Sequence, residues 1–185
     1  MASPHHAQGH GHHPSHDQPS HVQHKQGGRQ SIGCMVVTCS DTRTPDTDTS
    51  GALIQQLLRD HGHRVLAYHI VKDEPAEIHP LLTQTLPDES LQAIIINGGT
   101  GISRRDSTFE AVDGLLEKRL DGFGELFRYL SYKDIGSPAM LSRATAGLYQ
   151  GKVVFSIPGS KGAVRLAMEE LILPELGHIV GEMNK

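Results

Sequence analysis

Tryptophan is absent from this 185-residue chain, and aromatic residues as a whole make up only 4% of it. With so few rings, the core must be built from Val, Ile, Leu and Ala, within a hydrophobic content of 37%. Cysteine is almost missing: Cys34 and Cys39 are too few for a disulfide scaffold, and their spacing matches no zinc motif. A reduced, cytoplasmic setting is the expectation. No apolar run reaches the roughly 18 residues of a membrane span, and the polar N-terminus lacks a signal-peptide core. Positive charge is not concentrated either. Lys and Arg number 17 against 21 Asp and Glu, the net charge is −4, and no basic stripe marks a nucleic-acid partner. Neither G-x-x-x-x-G-K-[ST] nor G-x-G-x-x-G occurs, so the nucleotide folds that carry those loops lose support.

Histidine, by contrast, is crowded at one end. Of 13 histidines, His5, His6, His10, His12, His13, His16, His21 and His24 fall among Gln, Ser, Gly and Pro. Residues 1–31 have almost nothing to bury and are expected to be a disordered tail, with residues 32–185 forming one domain. The irregular spacing is unlike a purification tag. Flexible histidines of this kind bind Zn²⁺, Ni²⁺ or Cu²⁺, with or without a physiological use.

Beyond the tail, apolar runs alternate with amphipathic ones. Strands are expected at residues 33–38, 64–71, 92–97 and 152–157. Helices are expected from Ser50 to Gly62 with Leu53, Leu57 and His61 inward, and around Ile78, Leu81, Leu82 and Leu86, where Pro80 should kink or shorten the turn. A third should carry Phe109, Val112, Leu115 and Leu116 on its inner face. A fourth, residues 122–132, should bury Phe123, Leu126, Phe127 and Leu130. Ser137 and Pro138 read as the start of a helix ending near Gly147. Ala163 to Leu173 should be helical until Pro174 stops it, with a short closing helix after. Strands alternating with helices imply an α/β three-layer sandwich, a mostly parallel sheet with helices on both faces.

Ligands of such sheets bind where the strands end. Here that edge gathers four loops, at residues 39–49, 72–74, 97–107 and 158–161. The third, INGGTGISRRDST, places Gly98, Gly99 and Gly101 around Thr100, so that backbone N–H groups can approach an anion. Ser107 with Glu110 reads as a capping box, which would aim a helix N-terminus at the same place. Asp41, Asp73 and Asp106 stand at three of the strand ends, and Pro158, Gly159 and Ser160 at the fourth. A single strand-end Asp is usually a helix cap. Three beside glycine turns point to a phosphate site with a cation, Mg²⁺ being the usual one.

The combination SDTR…DTSG, IVKDE, NGGTG…RD.T.EA, GFGELFR.LS, SRA.AG and F.IPGS.GA resembles the MoaB/MogA molybdopterin-binding family, on its MoaB-type side. The similarity runs from Ile32 to about His178. It implies the family's sandwich fold. It also implies adenylylation, in which AMP passes from Mg·ATP to the terminal phosphate of molybdopterin and pyrophosphate is released. The product is what the molybdate-insertion enzyme uses, so that enzyme is an implied partner. By resemblance, Asp73 and Asp106 are catalytic and organise Mg²⁺, Gly98, Gly99, Thr100 and Gly101 contact phosphate, and Ser142 positions the pterin. Pro158, Gly159 and Ser160 complete the pocket, and Asp41 and Arg143 are further candidate substrate contacts. A homotrimer or homohexamer is also implied. The GFGELFR.LS segment departs from the dedicated adenylyltransferases, so a non-catalytic molybdopterin-binding or carrier protein is the alternative. A metal-delivery role centred on the histidines would leave the glycine loop without a use.

Overall fold

The structure is a computed structural model that describes residues 31–185. The expected tail lies outside the described residues up to position 30. Ser31 already belongs to the fold, where its hydroxyl donates to the Gly62 carbonyl at 2.8 Å.

Six strands form one sheet: β1 (Gly33–Cys39), β2 (Arg64–Val71), β3 (Ala93–Asn97), β4 (Lys118–Arg119), β5 (Thr145–Tyr149) and β6 (Lys152–Ile157). Their order is β2-β1-β3-β6-β5-β4. β2, β1, β3 and β6 are parallel, and β5 runs against its neighbours β6 and β4. β1, β3 and β6 are buried along their whole length, as central strands covered on both faces must be, whereas edge strand β2 is only partly covered.

Side-chain alternation sends each central strand into two cores. Cys34, Val36, Ala93, Ile95, Val153 and Phe155 face helices α1 (Thr49–Asp60), α4 (Asp121–Ile135), α5 (Lys161–Ala167) and α6 (Leu173–Met183). Met35, Val37, Ile94, Ile96 and Val154 face α2 (Pro75–Gln84) and α3 (Thr108–Asp113). This is the expected three-layer α/β sandwich.

Several local expectations are corrected. The inner face of α1 is Leu53, Ile54 and Leu58, with Leu57 only partly covered and His61 exposed, because a 3.6-residue period lets i+1 and i+5 positions share the stripe. α2 continues through Pro80, which sits exposed. α3 stops at Asp113, and Phe109 lies half-buried outside the core. In α4, Phe123 and Phe127 are buried while Leu126 is exposed.

Ser137 and Pro138 open only a single 3₁₀ turn, Ser137–Leu141, and the expected helix towards Gly147 is instead strand β5. The cause is a two-residue hairpin. Tyr149 pairs with Lys152, and Gln150 (φ 47°) and Gly151 (φ 74°) take the left-handed turn that matches strand twist. Pro174 does not stop its helix. A π turn over Met168–Ile172 absorbs the register change and α6 runs on, with Pro174 in its first turn, where a missing N–H costs little.

Candidate active site at the carboxyl edge of the sheet

The chain leaves β1 for α1 on one face and leaves β3 for α3 on the other. The β1 and β3 ends therefore part at a topological switch point, the place where an open α/β sheet forms a crevice. A cleft of about 370 Å³ opens there. Thr38, Cys39 and Asn97 line its floor, Gly98 to Gly101 and Asp106 one side, and Ser40, Arg43 and Asp48 another. Leu141, Ser142, Pro158 and Gly159 complete it.

The glycine loop is shaped by backbone that only glycine accepts easily. Gly98 and Gly99 have φ of +103° and +59°. Loop hydrogen bonding resumes on either side: Gly98 N–H donates to Ile157 O at 3.1 Å and Ser103 N–H to Asp106 Oδ2 at 2.9 Å. Between them, the N–H groups of Gly99, Thr100, Gly101 and Ile102 donate to no acceptor among the described residues. Four consecutive free donors, three of them on residues that line the cleft, are the backbone arrangement from which anion nests are built.

Two carboxylates fix this loop from different sides. Asp73 is buried, and its Oδ1 accepts from Ser107 N–H (3.0 Å), Ser107 Oγ (3.1 Å) and Thr108 Oγ1 (2.8 Å). Its Oδ2 lies against Gly99, where a Cβ would come within 2.3 Å. Asp73 therefore backs the loop and is not among the cleft-lining residues. Asp106 does line the cleft. Its Oδ2 lies where a Cβ on Gly101 would be 2.5 Å away, and its Oδ1 makes no hydrogen bond among the described residues. The expected capping box does not form, because Ser107 is spent on Asp73 and Glu110 on Arg143.

Opposite the loop, Asp48 is almost completely buried and caps α1 through Gly51 N–H at 2.9 Å. Its Oδ2 accepts from Thr38 Oγ1 at 2.5 Å and Tyr68 Oη at 2.6 Å. Asn97 Nδ2 donates to Thr38 Oγ1 at 2.9 Å and to Val37 O at 3.2 Å, joining β3 to the network. Burial works to raise the Asp48 pKa, but the Gly51 N–H and the two hydroxyls outweigh it and hold the carboxyl below its ordinary value. The unfolded chain thus takes up this proton more readily than the folded one. The stabilisation is complete above the ordinary carboxylate range and is lost as pH falls through the lowered folded value. Between about pH 5 and pH 2, wild-type melting temperature should therefore fall more steeply than that of Asp48→Asn. Parallel acid limbs in thermal melts would contradict this.

Other candidates lie around the cleft without lining it. Asp41 pairs with Arg105 at 2.8 Å, Arg105 also reaches Glu74 at 3.2 Å, and all three are exposed or half-exposed. The Arg105 contact draws the Asp41 carboxyl below its usual value. Ser160 caps α5 through Ala163 N–H at 3.3 Å. Arg143 gives its guanidinium to the carbonyls of Thr100 (2.8 Å from Nε) and Gly101 and to Glu110, and stacks over Phe109 at 4.7 Å. Arg104 is exposed.

Residues that sequence reasoning did not single out for the site are Thr38, Cys39, Ser40, Arg43, Asn97 and Leu141, together with Asp48, noted only as a loop acid. Asp48 had a readable signal, since D-T-S-G places a carboxylate three residues before the Gly51 amide it caps. Arg43 is the single cation in the lining and is held by Thr47 O at 2.7 Å. Cys39 is no nucleophile: burial pushes its thiol up to about 12, so it stays protonated near neutrality.

A run of free backbone donors, a carboxylate beside it and a polar wall at the switch point of a mostly parallel sheet place this chain among the α/β proteins with a polar cleft at the strand ends. A family model described as a probable molybdopterin binding domain matches residues 35–178, and the chain belongs to that family. Within it the chain is of the MoaB type, the group of molybdenum cofactor biosynthesis proteins. Molybdenum cofactor biosynthesis protein B of Bacillus cereus is 53% identical over 165 residues, 89% of this chain and 98% of its own. The crystal structure of a molybdenum cofactor biosynthesis protein B superposes with a TM-score of 0.82 at 54% identity, covering 85% of this chain and 98% of that one. The tungsten cofactor synthesizing protein MoaB from Pyrococcus furiosus gives 0.73 at 37% identity, covering 84% and 99%.

Proposed function

We propose that this chain adenylylates molybdopterin, using ATP and Mg²⁺, in molybdenum cofactor biosynthesis. The observation that carries the reading is the run of four N–H donors from Gly99 to Ile102 beside the Asp106 carboxylate. A terminal phosphate oxygen of the pterin bonds to the α-phosphorus of ATP. The bond from that phosphorus to the bridging oxygen breaks, and pyrophosphate leaves with the electron pair. No protein nucleophile is needed, so the barrier is one of charge and position.

The chain's residues fit Mg²⁺ through Asp106, whose Oδ1 is uncommitted; Mg²⁺ ordinarily takes one or two carboxylates with phosphate oxygens and water. When bound it neutralises phosphate charge. Asp73 serves in this reading by holding Gly99, Ser107 and Thr108 in place. The loop N–H groups orient phosphate oxygens, Arg43 adds positive charge, and Ser142, Leu141 and the Pro158–Gly159 turn close the pterin side.

The commitment of Asp73 to Ser107 and Thr108 leaves Asp106 as the single carboxylate at the loop end of the cleft. That observation favours the second reading, a non-catalytic molybdopterin carrier. Incubation with molybdopterin, Mg²⁺ and adenine-labelled ATP separates the two. Adenylylation moves the label onto the pterin. Label retained in ATP while pterin stays bound to the protein gives the carrier.

The chain also functions, on this reading, as a closed homo-oligomer, a trimer or a pair of trimers. Leu126, Tyr129, Tyr132 and Ile135 of α4 each expose more than half of their surface, and Met140 and Leu141 follow on the adjoining turn. A patch of this kind is buried without open-ended growth in a cyclic assembly. Light scattering should give three or six times the 20.1 kDa of one chain; a monomer mass would overturn it.

A further inference from the structure

We infer that Arg143 is a positioning residue, which aims the phosphate-binding amides without touching the ligand. The inference deepens the proposed function and rests on its anion-binding loop. Arg143 follows Ser142, which lines the cleft, yet its own guanidinium turns to the back of the glycine loop. There Nε donates to Thr100 O at 2.8 Å and Nη2 to Gly101 O.

A trans peptide is planar, with its N–H antiparallel to its C=O. No cis peptide occurs among the described residues. Holding the Thr100 and Gly101 carbonyls therefore points the N–H groups of Gly101 and Ile102 the opposite way, and these are two of the four donors that meet no protein acceptor. Two carbonyls held by one planar fork fix two successive peptide planes, a task that a lysine's point charge cannot perform.

The fork is itself anchored. Glu110, on α3, accepts from Nη1 and, at 3.4 Å, from Nη2, while the Phe109 ring lies 4.7 Å from the guanidinium carbon. Glu110 also offsets the charge, so Arg143 delivers geometry to the cleft and little net positive potential. The same contacts tie the segment bearing Ser142 to the loop that faces it, so the two sides of the cleft keep their separation.

The test compares Arg143→Ala, Arg143→Lys and Glu110→Gln with wild type. Inorganic pyrophosphate serves as the probe, because it reads the loop without a base or pterin. Positioning predicts that both arginine variants weaken pyrophosphate by about tenfold or more, with lysine giving no rescue, and that Glu110→Gln weakens it too. A direct contact predicts the opposite pattern. Lysine would retain most of the affinity, and Glu110→Gln, by releasing the arginine charge, would tighten binding; either result overturns the inference.

A second readout needs no ligand. Trypsin nicking after the exposed Arg104 and Arg105 should accelerate in all three variants while the melting transition of the domain persists. Unchanged nicking would also overturn the clamp. If wild type itself fails to bind pyrophosphate, the anion-site reading of the loop falls, and nicking still judges whether Arg143 holds it.

Discussion

Asp106→Asn is expected to cut adenylylation by about 10²- to 10³-fold while leaving the fold intact, a loss comparable to removing one preorganised charge from a phosphoryl-transfer site. Asparagine retains the shape and can still accept from Ser103 N–H, so the loop keeps its local turn. What it lacks is the negative charge at Oδ1, the carboxylate oxygen beside the nest that meets no partner. The melting temperature should move little, since the residue is only partly covered and loses no hydrogen bond. Near-wild-type turnover at saturating Mg²⁺ would remove Asp106 from the chemistry.

Gly99→Ala should destabilise the fold strongly, by about 3 kcal/mol or more. A left-handed backbone costs an alanine about 1–2 kcal/mol. At Gly99, with φ +59°, the added Cβ would also lie 2.2 Å from Thr108 Oγ1 and 2.3 Å from Asp73 Oδ2. Those atoms are locked to each other by a 2.8 Å hydrogen bond from Thr108 Oγ1 to Asp73 Oδ1, so they cannot move aside cheaply. Gly62 supplies the control. Its φ is +81°, but a Cβ there meets nothing within 4 Å, so Gly62→Ala carries the conformational penalty alone. Denaturant unfolding of the two variants isolates the clash as their difference. Equal losses would mean that Asp73 does not press the loop into place.

Much of this fold could be read from the chain because its central strands are short, continuous apolar runs bounded by turn residues. Ile94, Ile95 and Ile96 ahead of Asn97 and three glycines leave little choice of structure. The hairpin was hidden because T-A-G-L-Y follows a Ser–Pro pair and reads as the tail of a helix. Its turn signal, Gln150–Gly151, is weaker than Asn–Gly. β4, two residues long, carries no periodicity at all. Pro174 misled for another reason: a π turn upstream places it in a first helical turn, a position no local pattern announces.

The site divides in the same way. Glycines and the Asp106 carboxylate announced themselves at a strand end, and both line the cleft. The partners of Asp73, Asp48 and Arg143 come from residues 34, 20 and 43 positions away, so their tasks depend on packing that spacing alone does not express. Asp73 and Arg143 carry the charges expected of ligand contacts but turn them on the loop. Thr38, Tyr68 and Asn97 look like ordinary strand residues until Asp48 gathers them.

The most direct measurement follows the backbone amides of Gly99, Thr100, Gly101 and Ile102 by NMR while molybdopterin and then Mg·ATP are added. The account predicts that these four resonances shift furthest, with Ser142 responding to the pterin, and that the loop shifts persist when the adenylylated product forms. Saturable binding that leaves all four amides unmoved would contradict it.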